Sequence, residues 1–126
     1  MLDTSVAIAL RDHDPATLDR IELLGEKLVL SVITHVELEG GVYSSAPLDK
    51  AARRAALDEL LRTLPVIEFD EQSADTYGRI LATTGFSRRK VLDRLIAAQA
   101  LREGATLITF NPADFRDVPG LSLLEW

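Results

Sequence analysis

The sequence opens with MLDTSVAIAL (residues 1–10), in which an aspartate follows only two apolar residues. Two hydroxyl residues and the start of a short helical stretch come directly after Asp3. An aspartate in this position fits the cap of a helix. It equally fits one side of a functional site, because the chemistry of open parallel sheets lies beyond the carboxyl ends of their strands. The rest of the chain bears on which interpretation applies.

Short apolar runs alternate with longer helical stretches along the whole chain. The runs are bounded by polar or turn residues, which is typical of buried strands in a parallel sheet. The predicted strands are residues 28–32, 64–69, 105–110 and 121–126, with residues 1–2 leading into Asp3. The predicted helices are residues 5–11, 15–24, 33–44, 48–61, 70–84 and 92–103. This order predicts an α/β sandwich, in which a central parallel sheet of about five short strands is flanked by helices.

Composition limits the protein class. A length of 126 residues predicts a single domain, and 47% hydrophobic with 27% charged residues is ordinary for a globular protein. The absence of cysteine excludes disulfides and thiolate metal sites. We find neither a secretion signal nor an apolar run near the ~20 residues of a membrane helix, so we expect a cytoplasmic protein without membrane contact. The net charge of −6 argues against a general phosphate-binding surface, but not against a local one.

A second acidic candidate follows the strand predicted at residues 28–32, within the stretch SVITHVELEGG. Glu37 lies four residues after Ile33 and next to Val36, so we expect it to border the buried face of its helix. Glu39 is turned by about 200° from it and is expected to face solvent with His35. The alternative interpretation of Glu37 is a half-exposed helical residue without a function.

The third candidate is Asp93 in VLDRLIAAQAL. Leu92 and Ile96 are expected to mark the packed side of this helix, and Asp93 shares a stripe with Ile96, Ala97 and Ala100. A purely structural role is also possible, because an acidic residue in a first turn interacts favourably with the helix dipole. That role does not explain a carboxylate among small apolar residues.

The fourth candidate is Asp114, in LITFNPADF. The strand predicted at residues 105–110 runs into Asn111 and Pro112, which fit the cap and first position of one short helical turn. Asp114 could simply support that turn. Thr109, Asn111 and Asp114 nevertheless follow the carboxyl end of a predicted strand, as Asp3 does.

Four carboxylates at the same edge of a sheet repel one another, and their burial is costly unless a cation is present. Mg²⁺ and Mn²⁺ prefer carboxylate and water oxygens. Such a site suits phosphodiester hydrolysis, because the ion neutralises charge on a phosphoryl oxygen. A metal-dependent phosphatase is the less favoured enzyme, because Ser5 stands where a haloacid-dehalogenase-type motif needs a second aspartate. No P-loop motif is present.

Four stretches, in order, resemble the PIN domain and, within it, the VapC-type toxins of toxin–antitoxin pairs. The stretches are LDTSV with Asp3, SVITHVELEGGV with Glu37, LDRLIAAQAL with Asp93, and LITFNPADF with Thr109, Asn111, Asp114 and Phe115. The first strand is shorter than is usual in this family. Gln99 also stands where the family frequently has histidine.

The resemblance implies a PIN-like sandwich over residues 1–126 and an endoribonuclease that depends on Mg²⁺ or Mn²⁺. The implied catalytic residues are Asp3, Glu37, Asp93 and Asp114, of which Asp3 and Asp93 hold the metal. Thr4 or Ser5 adds a hydroxyl ligand or holds Asp3 in place. The resemblance also implies a homodimer and a small VapB-like antitoxin whose C-terminal segment plugs the pocket. A catalytically inactive PIN-like interaction module remains the alternative from another class.

Basic residues surround Asp93 in the sequence. Arg88, Arg89, Lys90 and Arg94 form either an ordinary solvated helix start or a local contact for RNA phosphates. The remaining candidates for substrate contact are Thr4, Ser5, Thr109 and Asn111. Because only 6% of residues are aromatic, we expect no base-stacking platform.

Overall fold

The computed structural model describes residues 1–44, 46 and 48–126. The helices in that part of the chain are α1 (Thr4–Arg11), α2 (Pro15–Leu24), α3 (Val32–Tyr43), α4 (Lys50–Thr63), α5 (Glu71–Thr84) and α6 (Val91–Glu103). The strands are β1 (Leu30–Ser31), β2 (Val66–Ile67), β3 (Leu107–Thr109) and β4 (Leu123–Glu125). Two short 3₁₀ turns span Arg88–Lys90 and Pro112–Asp114.

Leu2 joins the four strands into one parallel arrangement. β1 pairs with β2, and β3 pairs with β4, both in parallel register. Leu2 forms parallel bridges to Leu30 on one side and to Ile108 on the other, which gives the order β2–β1–Leu2–β3–β4. The Leu2 side chain is fully buried. The prediction of about five short parallel strands flanked by helices is therefore confirmed.

The strands are shorter than the apolar runs that predicted them. β1 covers only Leu30–Ser31 because Ser31 already caps α3, where its Oγ accepts a hydrogen bond of 2.9 Å from the Ile33 amide. The chain therefore turns from strand to helix within one residue. This early turn brings the first residues of α3 to the carboxyl edge of the sheet.

Two apolar clusters fill the two faces of the sheet. One joins α5 and α6 to Met1, Leu107 and Phe115, and the other joins α1, α3 and α4 to Leu2, Leu30 and Ile108. The expected stripe on α6 is present, because Ile96, Ala97 and Ala100 are all fully buried. The small alanines let α6 lie close to the sheet, with Asp93 one turn before them.

Two expectations for helix faces were wrong. Leu92 is 42% exposed and Val36 is 59% exposed, so neither marks a packed side. α5 packs through Ser73, Thr76 and Ile80. In each of these helices polar residues occupy part of the buried face, among them Thr34 on α3 and Arg94 on α6. None of the helices that the structure describes combines the length and apolar character needed to cross a membrane.

Candidate active site

Asp3 turns its carboxylate inward at the end of the central strand. Its amide donates to the Ile108 carbonyl at 2.9 Å, which fixes the backbone, and the residue is only 5% exposed. Asp3 stands at the N-cap position of α1, yet its side chain makes no cap hydrogen bond. The carboxylate instead accepts bonds of 2.8 Å from the hydroxyls of Ser5 and Thr109. Of the two interpretations of Asp3, this geometry favours the site over the cap.

Glu37 lies at the same edge of the sheet as Asp3, where it is hydrogen-bonded to Thr4 at the start of α1. The Thr4 hydroxyl donates to Glu37 Oε2 at 2.6 Å and lies 3.2 Å from the Thr34 hydroxyl. Glu39 points elsewhere, towards α4, where Arg54 donates to it at 2.7 Å. The two glutamates therefore lie on different faces of α3, and Glu37 is the one that lies beside Thr4.

Asp93 and Asp114 line an open cleft at this edge of the sheet. The cleft has a volume of about 440 Å³ and is lined by Ser87, Arg89, Lys90, Asp93 and Asp114. Its wall therefore contains two carboxylates and two cationic side chains.

The pKa of Asp93 reflects both the burial of its carboxylate and the negative charge of the other acids. Partial burial raises it from the ordinary value of 3.8 to about 6, and the negative charges of Asp114, Asp3 and Glu37 act in the same direction. The neighbouring Arg94 acts in the opposite direction but does not cancel the rise. Four carboxylates that are remote in sequence thus share one electrostatic environment.

This environment fits a hard divalent cation. Within residues 1–44, 46 and 48–126, no three His, Cys, Asp or Glu side chains stand ready to enclose a metal. A closed cage is unnecessary, because Mg²⁺ is usually bound through one or two carboxylates and keeps several waters. Oxygen donors and a local excess of negative charge are what such an ion prefers.

The hydroxyl side chains that were candidates for substrate contact are hydrogen-bonded to the acids and do not line the cleft. Thr109 is fully buried, donates to Asp3 and accepts a bond of 2.9 Å from the Asn111 amide. The Ser5 hydroxyl donates to Asp3 and also accepts a longer bond, of 3.3 Å, from the Phe110 amide. These bonds orient the Asp3 carboxylate and tie it to the end of β3.

Arg94 has a different position from the one expected of a substrate contact. It is 3% exposed, and its Nη2 donates to Asp117 at 2.6 Å. Its Nη1 donates to the Asp114 carbonyl at 3.0 Å. Arg94 therefore holds the segment that carries Asp114, and we leave it out of the proposed phosphate contacts. Arg88 and Arg89 are exposed.

Gln99 is a buried amide whose structural role sequence reasoning missed. Its side chain is fully buried, accepts a hydrogen bond from the Ser31 hydroxyl, and donates to the carbonyls of Ile67 and Glu68 at 2.9 Å each. Because Ser31 caps α3, Gln99 fixes α6 against both the start of α3 and the end of β2. These are the helices that carry Asp93 and Glu37. The signal in the sequence that could have indicated this role is a single amide within a stretch of small and apolar residues.

Comparisons with known proteins agree with this architecture. The model of the PIN domain family matches residues 1–121. Ribonuclease VapC2 of Rickettsia felis is 32% identical, with 100% of this chain and 96% of that protein covered. The tRNA(fMet)-specific endonuclease VapC of Shigella flexneri is 29% identical over the same shares of the two chains.

Solved structures give the same result. The crystal structure of VapBC2 from Rickettsia felis bound to a DNA fragment from its promoter superposes with a TM-score of 0.86 at 30% identity, covering 100% of this chain and 97% of the other. That of DNA-bound VapBC from Salmonella typhimurium superposes with a TM-score of 0.85 at 28% identity, covering 100% and 96%. The chain belongs to the PIN-domain family and, within it, to the VapC ribonucleases.

Proposed function

We propose that residues 1–126 act as one PIN-like domain that hydrolyses RNA phosphodiester bonds with the help of Mg²⁺ or Mn²⁺. The observation that carries this proposal is the placement of four carboxylates at one sheet edge: hydroxyl groups hold Asp3 and Glu37 there, and Asp93 and Asp114 line one cleft. A fold gains nothing from such crowding unless a cation relieves it. The similarity of the whole chain to VapC ribonucleases supports RNA as the substrate.

In this proposal Asp3 and Asp93 hold the ion. Asp3 enters the site already oriented, because Ser5 and Thr109 donate to it without neutralising its charge. The ion, when bound, supplies positive charge against a phosphoryl oxygen and lowers the pKa of water. Asp93 lies at the start of α6, where the helix dipole also favours a negative charge.

Glu37 and Asp114 act on the attacking water. Thr4 fixes one oxygen of Glu37, which leaves the other free to orient the water and to accept its proton. Arg94 holds the backbone of Asp114 in place. Arg89 and Lys90 line the same cleft, where they contact the phosphates on either side of the scissile bond.

We also propose that a VapB-like antitoxin blocks this site with its C-terminal segment and that the protein acts in the cytoplasm. Several similar solved structures are VapBC complexes, which supports a partner of this kind. The homodimer implied by the family resemblance stays a prediction, which sedimentation of the antitoxin-free protein tests.

The test is an RNA cleavage assay on antitoxin-free protein. We expect cleavage of structured RNA with Mg²⁺ or Mn²⁺, none in EDTA, and none by Asp93→Asn. The matched control is Asp75→Asn, which changes an exposed acid on α5 and should cleave like wild type. Cleavage in EDTA, undiminished cleavage by Asp93→Asn, or no cleavage by the wild type with metal would each contradict the proposal. The last outcome would favour the inactive interaction module.

A further inference from the structure

Phe86 is exposed beside the catalytic cleft. It lies between α5 and the turn Arg88–Lys90, and it is 71% exposed, whereas Phe115 in the core is 1% exposed. Gly85 ends α5 with a φ of 74°, a conformation that favours glycine, and the chain changes direction there. The next residue, Ser87, lines the cleft that contains Asp93 and Asp114. The exposed ring therefore belongs to the residue that directly precedes a wall residue of this cleft.

The charge around Phe86 favours an anionic partner. Three cationic residues, Arg88 to Lys90, follow within four positions in a chain whose net charge is −6. Within the described residues, Lys90 lies 3.6 Å from Asp117, whereas Arg88 and Arg89 form no ion pair. Two guanidinium groups without carboxylate partners next to an exposed ring make a surface that suits nucleic acid. Aromatic faces bind unpaired bases, and arginines bind the phosphates between them.

We infer that Phe86 stacks on an unpaired base next to the scissile phosphate, while Arg88 and Arg89 contact the flanking backbone. This inference rests on the proposed ribonuclease function and deepens it, because it assigns an aromatic residue of this chain to substrate binding at the cleavage site. A base inside a continuous duplex is already stacked on both faces and has none to offer the ring. The expectation from composition that the chain lacks a stacking surface is thereby revised at one position.

The position of Phe86 defines its expected kinetic effect. Phenylalanine carries no group that reacts, so its removal should weaken substrate binding and leave the chemical step unchanged. Loss of one stacked base is expected to raise KM about tenfold to a hundredfold for Phe86→Ala. Phe86→Trp should keep the wild-type KM because it retains an aromatic face. Phe86→Leu should behave like Phe86→Ala although it retains most of the apolar surface.

The experiment compares these variants on two RNA probes. One is a hairpin whose unpaired nucleotides all lie in the loop, and the other is the same sequence annealed to its complement. Cleavage is measured with Mg²⁺. Binding is measured in EDTA with 2-aminopurine in the loop, whose fluorescence is quenched by stacking. The matched control is Leu23→Ala, which truncates an 87% exposed apolar residue on α2.

We expect the wild type to cut the hairpin and spare the duplex, and Phe86→Ala to lose both affinity and quenching at unchanged kcat. The inference is overturned if Phe86→Leu matches the wild type, if the duplex is cut as well as the hairpin, or if Phe86→Ala loses kcat instead. It is also overturned if Phe86→Ala only alters the oligomeric state, because the ring would then cover another copy. If the wild type cuts neither RNA, the proposed function itself fails.

Discussion

Replacement of Asp93 by asparagine should stabilise the metal-free protein while it abolishes cleavage. The substitution keeps the size and polarity of the side chain but removes one negative charge from a half-buried cluster. In the wild type this carboxylate has a pKa of about 6, because burial and then the charges of Asp114, Asp3 and Glu37 disfavour ionisation. At neutral pH the folded metal-free protein therefore contains an anion that the site does not favour.

The size of the effect follows from the pKa. A rise from 3.8 to about 6 corresponds to at most about 3 kcal/mol of destabilisation above both values. Because Asp93 is only half-buried, solvent screening reduces this to about 1–2 kcal/mol. Between the two values the folded state binds more protons than the unfolded state. The free energy of unfolding of the wild type therefore falls as the pH rises through this window and is lowest above about pH 6. It rises again on acidification.

Thermal unfolding in EDTA measures this effect. Because other carboxylates also titrate, the quantity of interest is the difference in Tm between Asp93→Asn and the wild type at each pH. We expect that difference to be about 4–8 °C larger at about pH 8 than at about pH 4. Asp75→Asn, which changes an exposed acid, should show no such pH-dependent difference. If Asp93→Asn is less stable than the wild type at pH 8, or if its Tm difference is constant with pH, the crowding argument is wrong.

Four other substitutions test the rest of the site. Glu37→Ala should abolish RNA cleavage and Glu39→Ala should leave it near wild type, because Glu39 is bonded to Arg54 on another face. Gln99→Leu should lower the free energy of unfolding in urea by about 2–4 kcal/mol, because buried polar groups lose their partner. Arg94→Lys should lower kcat by up to about a hundredfold with KM unchanged, because the Asp114 segment is released.

The fold and the placement of Asp93 followed from local patterns. Alternating strand and helix signals predict a parallel sheet because parallel strands need helical crossovers, and the structure has that sheet. The small residues Ala97 and Ala100 predict a close approach of α6 to the sheet, and both are fully buried. These inferences succeeded because strand order, helix period and side-chain size are properties of contiguous sequence.

Partners that lie far apart in the chain were not predictable. Arg94 looked like a free cation because its neighbours in sequence are basic, but its carboxylate partner Asp117 lies 23 residues further on. Gln99 was noted only because it stands where the family frequently has histidine, but it bonds to carbonyls 31 and 32 residues away. Leu92 was assigned to the packed side of α6, and it is 42% exposed because Arg94 takes up buried space on the same helix. Only tertiary packing decides which charged and polar groups become buried.

Hydroxyl groups, and not cationic side chains, hold two of the acids in place. Asp3 accepts from Ser5 and Thr109, and Glu37 accepts from Thr4, so each of these acids is fixed by hydroxyl groups. A hydroxyl orients a carboxylate but carries no charge, whereas an arginine in the same place would neutralise it. The buried arginine nearby turns instead to Asp117 and a carbonyl. The fold thus positions its acids without satisfying them electrostatically, and this leaves the attraction for a divalent cation intact.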